Sequence, residues 1–310
     1  MLPTMQTTTD HINAAPPGAT LSSKIVTLAA VILPFLGLLA AVVSLWGWAC
    51  GWGAVALLGV MYLLTGLGIT VGFHRLFTHQ SFETNRVVKF IFGVLGSMAV
   101  QGSLLKWVAL HRMHHQHSDH EHDPHSPAHH GHGALGVLKG LWHSHMGWLF
   151  KKEPPDLLRY VKDLRKSKML STVSALFPLW VTLGLVIPTV IGWLLMGGWQ
   201  GAFLGLVWGG LARIFMVHHV TWSINSICHL WGQQPYKVAD HSRNNFIVGL
   251  LALGEGWHNN HHAFPTSARH GLRWWQVDMS YWTIQLLSFF RLAWNVKQPK
   301  LQLVPVTTNS

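Results

Sequence analysis

Charge is what this chain has least of. From Ile25 to Phe73 there is no Asp, Glu, Lys or Arg, and all 310 residues hold only 11 acidic side chains against 22 basic ones. An uncharged run of that length excludes a water-exposed surface there, and a mean hydropathy of +0.27 with 17 tryptophans points to a membrane protein. Cysteine is nearly missing. Cys50 falls in a short turn between two apolar runs and Cys228 beside a histidine, which argues against a structural disulfide and is compatible with a reduced compartment. No His-Pro-Gly-Gly haem motif and no Gly-rich dinucleotide fingerprint occurs, so electrons for any redox chemistry have to arrive from a separate protein. The net charge of +11 comes without a nucleic-acid-binding motif, and nucleic acid is not an expected partner. No basic head precedes the first apolar run until Lys24, and that run far exceeds signal length, so no cleavable signal peptide is expected.

What the chain has instead is apolar length. The first uncharged run exceeds one span of about 20 residues. WGWACGWG at 46–53 supplies a turn, giving spans at about 25–46 and 53–73, the first kinked by Pro34. A second hairpin, at about 171–196 and 199–219, turns at 197–199. Residues 1–23 read as a disordered tail and 301–310 as a polar tail, leaving 24–300 as one domain. Of the basic residues, 13 lie between His74 and Leu170 and 7 follow Val220, while the far-side turns carry none. That bias places both termini and the region after His74 in the cytoplasm, and the same charge attracts anionic headgroups. Val87–Leu105 is apolar enough to be taken for a further span, yet a crossing there would separate His74 from His111, so it is expected to be re-entrant or to lie along the interface. Residues 151–168 read as an amphipathic surface helix and Leu272–Trp294 as an interfacial one. Arg213, near the cytoplasmic end of the fourth span, is expected to snorkel.

Histidine is abundant, with 23 in all. HRLFTH (His74, His79), HRMHH (His111, His114, His115) and HNNHH (His258, His261, His262) each border an apolar segment, and His229 stands alone in NSICH. In the second and third boxes the spacing i, i+3, i+4 puts each trio on one face of a helix. The first pair, at i and i+5, stands about 140° apart on an α-helix and needs a helix end or a distorted turn to aim both rings inward. Nine imidazoles exceed the three or four protein ligands of one zinc site and suit two ions. The boxes contain no carboxylate. Glu255, three residues before His258, is expected to orient an imidazole, and Asp119 and Asp123 to do so for the second box. His117, His120, His122, His125, His129, His130 and His132 lie in an Asp/Pro/Gly-rich stretch and read as a solvated loop.

The segments GITVGFHRLFTHQSF, HRMHHQHSDHEHDPHS, HSHMGW, HHVTWSINSICHLWG and LALGEGWHNNHHAFP resemble, in order, the membrane-bound fatty acid desaturases, most closely the acyl-CoA Δ9 (stearoyl-CoA-type) branch and its bacterial relatives. The resemblance covers about residues 60–280. It implies an all-α integral membrane protein, four transmembrane helices with a cytosolic helical cap holding a di-iron site, in a bacterial inner membrane. The implied iron ligands are His74, His79, His111, His114, His115, His229, His258, His261 and His262, with Asn225 reaching iron through a water. The implied reaction is the O2-dependent introduction of a cis double bond, Δ9, into a long saturated acyl chain carried as a CoA thioester or glycerolipid. Two electrons would come from a ferredoxin- or cytochrome-type donor. Chemistry agrees, because redox-inert zinc cannot supply the oxidant that an unactivated methylene demands.

Two other functions fit the sequence less well. Hydroxylation of an alkyl or lipid chain branches from similar chemistry, but NSICHLWG and HNNHH favour desaturation. A histidine-rich metal transporter would place ligands within the spans, which contain no His, Asp or Glu before His218. Stepping back from His74 by helical turns gives Thr70, Gly66 and Tyr62, a face that is narrow beside the site and bulky deeper in. It is a candidate wall of an acyl tunnel, closed by Tyr62 about 18 Å from His74.

Overall fold

The computed structural model describes residues 21–47, 51–128, 130–154 and 156–299. Among them the chain is mostly helical, with one two-residue strand pair, Glu83–Thr84 against Ala293–Trp294. Four helices are long and apolar enough to cross a membrane: Leu21–Leu45, Trp52–Thr78, Phe177–Met196 and Gly198–His229. The third, at 20 residues, matches a hydrocarbon layer of about 30 Å. The fourth has 32 residues and is about 18 Å longer, and this overhang carries His229.

Both expected hairpins are present with shifted ends. Helix already begins at Leu21, inside the stretch expected to be a tail; residues 1–20, Cys50 and residues 300–310 lie outside the described residues. The third span starts at Phe177 rather than 171, because Leu176 leaves the helical conformation (ψ 17°) and Pro178 sits in the new first turn. Before it, Lys168–Ala175 is a separate helix whose cap, Ser167, accepts from the Leu170 N–H. The helix of the fourth span runs on past 219, as far as His229. The turn between the third and fourth spans uses Gly197 (φ +91°) and Gly198 (φ +54°), a left-handed pair that side chains would strain.

The apolar stretch after His79 becomes the helix Arg86–Met98, capped by Asn85 through the Val88 N–H. Its 13 residues extend about 20 Å, too short to cross. It lies against the second span where a Cβ on Gly68 would stand 2.3 Å from the Gly96 nitrogen, so only glycine permits this approach. Its C-terminal carbonyls are taken up from the fourth span. Arg213 donates to Met98 O (2.7 Å), and His218 Nε2 donates to Ala99 O and Val100 O (both 3.0 Å). Arg213 therefore does not snorkel. It is fully buried and also donates to Gly184 O and Gly209 O, because the open carbonyl end of a helix attracts a cation.

Two further expectations fail in the cap. Residues 151–168 do not form one surface helix but a 3-10 turn, Leu157–Val161, and a single helical turn, Lys162–Arg165. Pro154 and Pro155 remove backbone donors at its start, and Asp156 adopts φ +53°. Of 272–294, only Met279–Phe289 is helical. The preceding chain is irregular because Asp278 and Gln276 bind the backbone N–H groups of residues 270–273.

Candidate metal centre

The first box solves its spacing with an unusual helix. Gly68–Thr78 is π-helical, a form whose backbone bonds link residues five apart. The last such bond, His79 N–H to His74 O at 3.1 Å, joins the two histidines, and their rings meet with centroids 4.7 Å apart. The second box lies on Leu104–His117 and the third on the short helix His258–Ala263. His229 ends the 3-10 turn that extends the fourth span.

All nine histidines converge, but the trios do not stay together. His74, His79, His111, His115 and His261 form one group that could hold a metal ion, and His114, His229, His258 and His262 form another. In the second box the i, i+4 pair joins the first group and His114 crosses to the second. In the third box the i, i+4 pair joins the second group and His261 crosses to the first. Helical geometry explains this, since i+3 and i+4 point about 100° apart on either side of i. The two HxxHH boxes thus interleave in opposite senses.

The donor set fits metal. Nε2 atoms of His74 and His261 (3.1 Å), His261 and His115 (3.0 Å), His115 and His111 (3.1 Å) and His229 and His258 (3.1 Å) face each other. Neighbouring ligands at metal–nitrogen distances of about 2.1 Å and right angles stand ~3.0 Å apart. A single ring nitrogen facing two others cannot satisfy both with one proton, whereas one cation satisfies all. The Nε2 atoms of His79, His114 and His262 are buried with no hydrogen-bond partner among the described residues. Burial, reinforced by neighbouring imidazoles, holds His79, His111, His115, His258 and His261 well below the ordinary histidine range. His262 is pushed down by burial to about 4, despite Asp240. Neutral rings are what ligation requires. His114 differs: burial lowers it, but Asp123 with Asp119 and Asp240 together outweigh burial and leave it raised.

Carboxylates orient the rings from behind. Asp123 binds His114 Nδ1 (2.9 Å), as expected for the second box. Asp119 instead serves the lone histidine, His229 Nδ1, at 2.8 Å. Glu255 serves the first box rather than the neighbouring third, with Oε2 2.6 Å from His74 Nδ1. Burial would raise Glu255, but the charges of His74 and Arg75 hold it well below the usual carboxylate range. Sequence reasoning missed Asp240, 2.6 Å from His262 Nδ1, and the buried set of Arg75, Asp278 and His270 around Glu255. No spacing rule links 240 to 262, but Arg75 and His270 beside histidine boxes were visible as buried-polar candidates. His125 is not a solvated loop residue: it is buried, and its ring lies 4.5 Å from that of His114. His120, His122 and His132 are exposed as expected, and His129 lies outside the described residues.

Asn225 lies one turn before His229, half-buried, and its amide makes no hydrogen bond among the described residues. Trp107 stacks on His111 (5.0 Å), donates to Gln101 and through it reaches Thr221 of the fourth span. The Tyr62–Gly66–Thr70 face packs against the third-box region: Tyr62 O–H donates to Leu251 O (2.7 Å), Leu253 meets Gly66, and Ser280 O–H donates to Thr70 Oγ1 (2.7 Å).

Comparison with known sequences agrees with this architecture. The fatty acid desaturase family profile matches residues 46–285. The chain belongs to the fatty acid desaturase family. It is 41% identical over 275 residues to a hex-5-enoyl-[acyl-carrier protein] acetylenase of Moorena producens (strain JHB), covering 88% of this chain and 86% of that protein. It is 41% identical over 250 residues to an sn-1 stearoyl-lipid 9-desaturase of Anabaena variabilis, covering 79% and 85%. It is 39% identical over 276 residues to an icosanoyl-CoA 5-desaturase of Limnanthes douglasii, covering 87% and 72%. This desaturase is therefore a membrane oxidoreductase of fatty acyl chains, with histidine groups able to hold metal.

Proposed function

We propose that the two groups hold two iron ions, one on His74, His79, His111, His115 and His261, the other on His114, His229, His258 and His262 with Asn225 through a water. The reaction is the removal of two hydrogens from adjacent methylenes of a long saturated acyl chain, at Δ9, leaving a cis double bond. Dioxygen takes up those two hydrogens, two electrons and two protons to give two waters. The irons supply the oxidising power when bound. The relatives named above act on chains carried by acyl-carrier protein, lipid and CoA; the 9-desaturase among them favours a glycerolipid-bound chain here. The observation that carries the reading is the division of nine imidazoles, five buried and four half-buried, into two groups, with facing nitrogens at 3.0–3.1 Å.

The chain's own residues have distinct tasks. Asp119, Asp123 and Asp240 accept the Nδ1 protons of His229, His114 and His262, which fixes each tautomer and turns Nε2 toward the centre. Glu255 does the same for His74, backed by Arg75. Burial of His74, His114, His229, His258 and His261 keeps water from their rings. Tyr62, Gly66 and Thr70 wall the acyl tail. A ferredoxin- or cytochrome-type protein delivers electrons on the histidine side, which faces the cytoplasm of a bacterial inner membrane by its excess of basic residues.

The test is expression in a desaturase-deficient host, with mass-spectrometric location of any new double bond and iron counted per purified chain. A Δ9 cis product and two irons are expected. A hydroxylated product, or metal bound without oxygen consumption, would overturn the reading. Cysteine accessibility should place Gly133 and Gly51 on opposite sides of the membrane.

A further inference from the structure

Apart from the histidine centre, Arg86, Lys89, Ser167, Lys168 and Met169 line an open surface hollow of about 470 Å³. Three cations share it, and none of them forms an ion pair among the described residues. Glu83, whose charge reaches Lys89, turns its oxygens to Trp294 Nε1 and Asn295 Nδ2. Like charges lining one hollow repel one another unless an anion enters.

Its place in the fold narrows the choice of anion. It lies between the start of the helix Arg86–Met98, soon after the second span ends at Thr78, and the start of the helix Lys168–Ala175, just before the third span begins at Phe177. Both positions mark the boundary between bilayer and histidine face. On the bilayer side, Val87 is 66% exposed, Ile91 48% and Phe90 42%, and Phe90 packs edge-on against Trp180 of the third span at 6.1 Å. Cations at the headgroup level above exposed apolar side chains match a molecule with an anionic head and hydrocarbon tails. Basic pockets between membrane helices bind such heads. Ser167 Oγ, which accepts from Leu170, keeps its own O–H to donate.

We propose that this hollow binds the phosphate of an anionic glycerophospholipid, held as a fixed partner of the enzyme and not as the chain being desaturated. The lipid would cross-brace the helix that follows the first box to the entrance of the third span.

The test uses the full-length enzyme in phosphatidylcholine nanodiscs with increasing dioleoylphosphatidylglycerol, whose chains already carry a double bond. Lipid retained per chain is read by native mass spectrometry. The wild type is expected to retain phosphatidylglycerol in preference to phosphatidylcholine, and R86Q/K89Q/K168Q to bind it about tenfold or more weakly, since each cation contributes roughly fivefold near an anionic surface. R86K/K89R/K168R, which keeps the charge, should retain it, as should K139Q/K237Q, which alters exposed cations elsewhere. Equal retention by the glutamine triple variant would overturn the proposal. So would loss in the charge-keeping variant, or displacement of the lipid from the wild type by millimolar inorganic phosphate or CoA, which would assign the hollow to a soluble phosphate.

Discussion

The two histidine groups are built differently. The four-member group gives His114, His229 and His262 each a carboxylate of its own, Asp123, Asp119 and Asp240. The five-member group has more imidazoles but relies on Glu255, which also binds Arg75 and His270 within a buried network closed by Asp278. The second design couples ligand position to the packing of the fold, whereas the first gives each of those three rings its own carboxylate, two of which are joined where the Asp119 N–H donates to Asp123 Oδ2. The two groups should therefore fail in different ways.

The largest effect is expected from removing a ligand. His261→Ala should abolish detectable desaturation and leave about one iron per chain, whereas exposed His132→Ala should leave both irons and activity unchanged. Full activity in His261→Ala would dissolve the division into groups. Glu255→Gln should be the most damaging change behind the ligands, because it strips a buried cation of a partner, at a cost of about 3–5 kcal/mol. Thermal unfolding of the metal-free protein would register this. Asp240→Asn, by contrast, should weaken only the four-member iron, by about 10–100-fold in affinity, with little change in unfolding temperature.

Acid should separate the groups more gently. In the five-member group His79, His111, His115 and His261 take up protons only well below about 6.5, as burial and neighbouring rings disfavour their charged form. His114, raised by Asp123 with Asp119 and Asp240 against the effect of burial, accepts a proton sooner as pH falls. Stepwise acidification should thus release the four-member iron first, giving two steps in iron content. Simultaneous loss would show that the irons are held as one unit. The smallest effect concerns Tyr62→Ala: a longer preferred acyl chain with the double bond unmoved from the carboxyl end, read from product profiles. An unchanged profile would leave Tyr62 as a strut to Leu251 alone.

Much of this was legible in the sequence because the signals were local. Two hairpins follow from uncharged length, and the histidine boxes from spacing. The need for a distorted turn between His74 and His79 was visible, and a π-helix supplies it. What was not legible depends on pairs far apart in the chain: Asp119 with His229, Glu255 with His74, Asp240 with His262. Sequence marked Glu255 as a partner of an imidazole without showing that the imidazole is that of His74. His125 was misjudged because a polar, Gly-rich neighbourhood describes the loop and not the one ring turned beneath His114. Arg213 looked like a surface anchor because two of the carbonyls that bind it lie far earlier in the chain, over 20 and over 100 residues before it.

The interleaving of the second and third boxes also bears on synthesis. A ribosome-bound chain that has emerged only to Arg213 carries His74, His79, His111, His114 and His115, the majority of the ligands. Yet the five-member group still lacks His261, and the four-member group has only His114. The short 86–98 helix is likewise unanchored until Arg213 and His218 reach its end. Neither histidine group is complete on an unfinished chain, so under the proposed function the full complement of metal ligands forms only when the last third of the polypeptide is in place.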